Sequence, residues 1–126
     1  HCRRWIMKLL TKAIEQKLDK NWPDEQGLAV PALKIFNPYG VGTWLITRRD
    51  PKEPDYLWGL CDLGFPETGP VLLSELQSIK CPPFGLGLER DLYFKGQYPV
   101  SVYEQAARIA GTLDHAYLEA AANSAQ

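Results

Sequence analysis

The sequence predicts an α+β fold: a single domain with an antiparallel sheet of about four to five strands and N- and C-terminal helices packed on one face. Three observations carry this. Apolar residues recur at helical spacing only near the two ends of the chain and in one short central stretch. Between them lie short segments rich in β-branched and aromatic residues, each closed by Pro, Gly or Asn. The resulting order of elements lacks the regular strand–helix alternation of a parallel sheet. At 126 residues the chain suits one domain and would cramp a second core. Residues 1–6 read as an extension upstream of Met7, and residues 122–126 as a fraying tail.

The first helix rests on Leu10, Ile14 and Leu18, one every fourth residue, with Lys12, Glu15, Gln16 and Lys17 between them. Thr11 is placed to cap its start, and Pro23 forbids its continuation past Asn21-Trp22. Residues 23–31 read as a loop and residues 32–36 as a short strand. The Asn37-Pro38-Tyr39-Gly40 turn closes that strand. Residues 43–48 form a stronger strand, with Trp44 and Ile46 on one face and Thr43, Leu45 and Thr47 on the other. A polar loop over Arg49–Asp55 leads to a strand over Tyr56–Cys61, most simply its antiparallel neighbour.

Gly64-Phe65-Pro66 breaks the chain, and residues 71–73 offer a fourth strand. Ser74 and Gln77 have the spacing of a capping box, which predicts a short helix over Glu75–Ile79 that ends at Cys81-Pro82-Pro83. Leu92–Phe94 reads as a last short strand. Ser101 and Glu104 form a second capping box. It opens a helix whose stripe is Val102, Ala106, Ile109, Leu113, Ala116 and Ala120, with Glu104 and Arg108 as a surface pair. There is no internal repeat and no low-complexity segment.

Composition narrows the function classes. The formal net charge is −1, so the molecule as a whole has no field that would gather nucleic acid or an anionic membrane. The charge is uneven, with a basic start (Arg3, Arg4, Lys8, Lys12, Lys17, Lys20) and an acidic stretch from Asp50 to Glu75. No segment is long and apolar enough to span a membrane. Three cysteines, Cys2, Cys61 and Cys81, have neither zinc-ligand spacing nor an even count, so reduced thiols in a cytoplasmic protein are expected.

The chemistry-bearing residues crowd into residues 56–94. Alternation places Tyr56, Trp58, Leu60 and Asp62 on one strand face. A carboxylate beside aromatic surface can serve as a general acid or base, or simply accept hydrogen bonds from turn amides at residues 63–65. Glu89 and Asp91 share a face in an extended strand. Two carboxylates are too few for a dedicated cation cage, and Arg90 is able to fork onto Asp62 or Glu67 and hold the loops together. Cys61 invites a nucleophile reading, for which His115 is the one credible base. Counting around the last helix turns His115 to solvent, so Cys61 fits better as a small buried apolar residue. The pairs Gly40/Gly42 and Gly85/Gly87 lack a phosphate-binding fingerprint and read as turns.

Five stretches carry a resemblance: MKLLTKAIEQKL at residues 7–18, LKIFNP at 33–38, TWLIT at 43–47, GLCDLGFPETGPVLLSEL at 59–76 and GLERDLYF at 87–94. In this order they resemble the bacterial domain-of-unknown-function family 2958 (DUF2958), from Met7 to about Arg108. The first six residues, the Ala-rich extension past Ala110 and the Cys81-Pro82-Pro83 turn depart from it. The resemblance implies a small cytosolic accessory protein of plasmids and other mobile elements, carried beside genes for transfer or for evading host defence. It transfers no catalytic residue.

The expected function is therefore a non-enzymatic module that binds a protein partner. Its candidate contacts are Trp58, Asp62, Glu67, Glu89, Arg90 and Asp91, aided by exposed aromatics. Two other readings stand beside it. One is a small hydrolase with Asp62 or Glu89 as acid/base; the other is nucleic-acid binding through Lys8, Lys12 and Lys17. No cofactor, metal or membrane contact is expected.

Overall fold

A computed structural model describes residues 8–111. The elements run α1 (Lys12–Lys20), β1 (Leu33–Phe36), β2 (Thr43–Asp50), β3 (Glu53–Asp62), β4 (Pro66–Leu72), α2 (Leu73–Ser78), β5 (Glu89–Arg90) and α3 (Val100–Ala110). All strand pairs are antiparallel, and the sheet order is β4-β3-β2-β1-β5. The fold class is the one read from the sequence. The helices, however, divide between the faces rather than sharing one.

Strand parity shows the division. Trp44 and Ile46 of β2 join Leu18 of α1, Leu76 of α2, Leu33, Ile35 and Leu57 in one core cluster. Leu45, between them, turns the other way and joins Leu60 with Val100, Val102, Tyr103 and Ala106 of α3 in a second cluster. Burial of apolar side chains on both faces gives the sheet two cores and holds α1 and α3 on opposite sides of it.

Local signals placed α1 well. Thr11 Oγ1 accepts from the Ile14 amide at 3.2 Å, and Leu18 is fully buried. Removing that cap in Thr11→Ala is expected to cost about 1 kcal/mol, read by urea denaturation at neutral pH. An unchanged midpoint would show that α1 is held by packing alone. The turn after β1 also forms as expected, with the Tyr39 amide donating to Asn37 Oδ1 at 2.8 Å.

The predicted loop over Arg49–Asp55 is mostly strand, since β2 continues to Asp50 and β3 starts at Glu53. Its polar side chains find partners on neighbouring elements, so the ladder continues. Arg49 reaches Asp19 and Glu15 of α1, and Asp55 takes hydrogen bonds from both the amide and the hydroxyl of Ser74, each at 2.7 Å. That second contact replaces the predicted capping box of α2: the carboxylate at this helix start comes from β3.

Ser101 does not cap α3 either. The helix begins one residue earlier, at Val100 after Pro99. The Val100 and Ser101 amides donate to the Ala29 and Gly27 carbonyls at 2.9 and 3.1 Å, so the 23–31 loop satisfies the helix start. Val102 and Ala106 of the predicted stripe are buried, whereas Ile109 is 59% exposed. Leu113, His115, Ala116 and Ala120 lie outside the described residues. Finally, the last strand is Glu89–Arg90 rather than Leu92–Phe94. Asp91 accepts from the Tyr93 amide at 2.9 Å and turns the chain away from the sheet.

Candidate functional site

Register sets the geometry of the predicted site residues. Glu89 lies opposite Phe36, Phe36 opposite Thr43, and Thr43 opposite Asp62. Asp62 and Glu89 therefore share a row and a face but stand three strand spacings apart, roughly 14 Å. These two carboxylates do not converge on a common atom, and the geometry gives no acid/base pair. Glu67 lies opposite Cys61 on β3, which puts it on the α1/α2 face, opposite to that of Asp62.

Each candidate then takes a separate place. Asp62 is 8% exposed, and its carboxylate accepts from the Gly64 amide at 2.9 Å, bracing the β3–β4 turn. Asp91 braces the turn at Tyr93 and lies 3.7 Å from Lys34 Nζ. Arg90 sits on β5, at the sheet edge remote from Glu67, and donates to the Lys8 carbonyl rather than clasping Asp62 or Glu67. Among the described residues no three His, Cys, Asp or Glu side chains gather in a way that would hold a metal ion.

Trp58 is a wall of a cradle that sequence reasoning missed. Arg48 lies opposite it in the register, with its guanidinium 4.9 Å from the Trp58 ring and 5.0 Å from the Trp22 ring. Stacked between two indoles, Arg48 donates from Nη1 to the Trp22 carbonyl at 2.9 Å, while its buried Nε has no hydrogen-bond partner. A register shift between Ile46 and Arg48 defeats the simple alternation that would have paired these residues by eye. The arrangement locks the 21–24 turn to the sheet.

Cys61 is half-buried. Burial pushes its thiol up, and the neighbouring Asp62 and Glu67 carboxylates push it further. A nucleophilic thiol needs the opposite shift. His115 lies outside the described residues.

What the structure does bring together is one end of the sheet. The β1–β2 turn (residues 37–42) and the β3–β4 turn (residues 63–65) are neighbours, because Thr43 pairs with Asp62. Phe84 packs edge-on against Tyr39 at 5.4 Å. On these loops Val41, Leu63, Phe65 and Phe84 are all more than half exposed, and Phe65 reaches 76%.

A family model described as "Protein of unknown function (DUF2958)" matches residues 6–114. The chain belongs to this family. Comparison with curated proteins and with solved structures gave no match. The match spans every strand and helix described in this DUF2958 protein, so the Arg48 cradle and the apolar loop end are parts of the family domain itself. The family description names no activity, and membership assigns no role to any residue. No helix among the described residues is long and apolar enough to cross a membrane.

Proposed function

We propose that this DUF2958 protein is a non-enzymatic protein-binding module whose contact surface is the loop end of the sheet. The observation that carries this is the gathering of Tyr39, Val41, Leu63, Phe65 and Phe84, all exposed, on three adjacent loops. Large apolar side chains left contiguous in water mark interaction surfaces, and aromatic residues dominate the centres of such surfaces. Glu67 and Glu89 flank the loops, so the partner this end suits presents an apolar patch with a basic rim. A cytoplasmic accessory role on a mobile element, as the family resemblance implies, fits a small module of this kind.

The hydrolase reading needs carboxylates that meet, and Asp62 and Glu89 stand apart. Nothing in the geometry favours nucleic acid at Lys8, Lys12 and Lys17.

Affinity capture with the whole chain tests the proposal. Wild type and Tyr93→Ser, a control remote from the loop end, should retain one protein in stoichiometric amount. Phe65→Ser/Phe84→Ser should hold it at least about tenfold more weakly while melting at the same temperature. Retention of the same protein by all three chains, or of none by any, would refute the surface.

A further inference from the structure

On the α1/α2 face a groove of about 400 Å³ runs between β3, β4 and α2. It exists because two glycines meet: Gly59 of β3 lies directly opposite Gly69 of β4, and neither contributes a side chain to the sheet surface there. Trp44, Ile46, Val71, Leu76 and Ile79 supply its apolar lining. A Cβ built on Gly69 would meet nothing within 4 Å, which shows how open the space above that strand is. Its volume falls in the range of sites that hold small organic molecules.

The polar groups of the groove are of one sign. Glu67 and Glu75 both line it, no lysine or arginine does, and neither carboxylate has a hydrogen bond or ion pair among the described residues. By contrast, the acids that hold the fold together are engaged: Asp19, Asp55, Asp62, Asp91 and Glu104 all have partners. The Cys61 thiol lies at the groove wall beside Glu67, and burial first, then the Asp62 and Glu67 carboxylates, favour its protonated form.

We propose that this groove is a binding site for a small aliphatic cation, an alkylammonium whose chain lies along the apolar lining and whose charged head sits between Glu67 and Glu75. An apolar trough alone would accept any hydrocarbon. The two carboxylates select among them, attracting an ammonium, leaving an alcohol indifferent and repelling a carboxylate. This site meets the protein-contact surface at Leu63 and at Glu67, which flanks those loops; Tyr39, Val41, Phe65 and Phe84 do not line it. It holds or fails independently of that reading.

The test uses the full chain and three probes of equal length, n-hexylammonium, n-hexanol and n-hexanoate, titrated by calorimetry or NMR. Hexylammonium should bind roughly fivefold or more tightly than hexanol, and hexanoate weakest of all. It should also slow alkylation of Cys61 by maleimide, read by peptide mass spectrometry so that the other cysteines do not confuse the result. Glu67→Gln/Glu75→Gln should erase the preference for ammonium over alcohol. Gly69→Val should block all three probes at a position with room for a side chain. Absence of saturable binding, equal affinity for all three probes, or hexylammonium binding unchanged in Gly69→Val would each overturn the site. So would an alkylation rate of Cys61 that hexylammonium leaves unaltered.

Discussion

Gly59→Ala is expected to destabilise the fold by about 3 kcal/mol, lowering the melting temperature by roughly 10 °C or more. A Cβ at this position would stand 2.2 Å from the Leu45 carbonyl oxygen and 2.8 Å from Ile46 Cα. Both obstacles are backbone of β2, so no rotamer change relieves the clash; the strand itself must move. The cause is the register shift between Ile46 and Arg48, directly beside the Ile46–Gly59 pair. A bulge bends and twists its strand, and glycine is the residue that tolerates the close approach. Gly69 provides the internal control. It sits opposite Gly59 on β4, yet its Cβ would meet open space, so Gly69→Ala should change stability by no more than about 1 kcal/mol, in the stabilising direction if any. Differential scanning calorimetry on the two variants decides the matter. Equal melting temperatures would mean that β2 yields easily and that the glycine is incidental.

That contrast shows where the limit of sequence reading lies in this molecule. Features written within a few residues were legible: the Thr11 cap, the Asn37 turn, the strands around Ile35 and Ile46, and Asp62 as an acceptor for its own turn. What escaped was set by residues distant in the chain. The Asp55–Ser74 contact spans 19 positions, and the loop carbonyls that receive the α3 amides lie far upstream of that helix. A side chain that finds its partner on another element no longer needs the local motif, so the Ser74 and Ser101 capping boxes lost to tertiary contacts. The two-sided burial of the sheet had a signal that was present but undervalued. Trp44, Leu45 and Ile46 are consecutive and apolar, and all are buried; an unbroken apolar run marks a strand covered on both faces, whereas a strand with one wet face alternates.

The same distinction governs the acidic residues. Crowding in residues 56–94 suggested one site, but an antiparallel sheet distributes neighbours in sequence over two faces and several strands. Asp62 and Glu67 are five positions apart and face opposite sides; Glu89 lies on the same face as Asp62, three strands away. The candidates resolve into braces (Asp62, Arg90, Asp91), a packing wall (Trp58) and two flanking charges (Glu67, Glu89). The apolar side chains exposed at the loop end, among them Val41, Leu63, Phe65 and Phe84, are recorded in the sequence only as neighbours of turn residues.

The second large effect belongs to Arg49. Its guanidinium holds Asp19 by two hydrogen bonds of 2.8 Å and lies 3.2 Å from Glu15, bolting α1 to β2. Arg49→Met removes a two-pronged, largely shielded contact and leaves two acids of α1 without their partner, so a loss of about 2 kcal/mol at neutral pH is expected after allowance for screening at the rim. Arg49→Lys should recover only part of it, because a lysine ammonium offers no planar fork. The pH dependence fixes the origin of the effect. The Arg49 hydrogen bonds hold the Asp19 carboxyl below its ordinary value of 3.8, against an opposing contribution from burial. A group whose folded-state value is depressed binds its proton more readily when unfolded. Its stabilisation is therefore fully present above pH 4 and fades as the pH falls through the folded-state value. The Asp19 hydrogen bonds raise Arg49 further above its already high ordinary value, so its own titration would weaken the fold only in strong alkali. The gap between wild type and Arg49→Met should thus be constant from pH 7 to about pH 5 and narrow progressively below pH 4, as followed by urea denaturation at each pH. A gap that persists unchanged at pH 2.5 would assign the contribution of Arg49 to the packing of its aliphatic stem instead of to its charge.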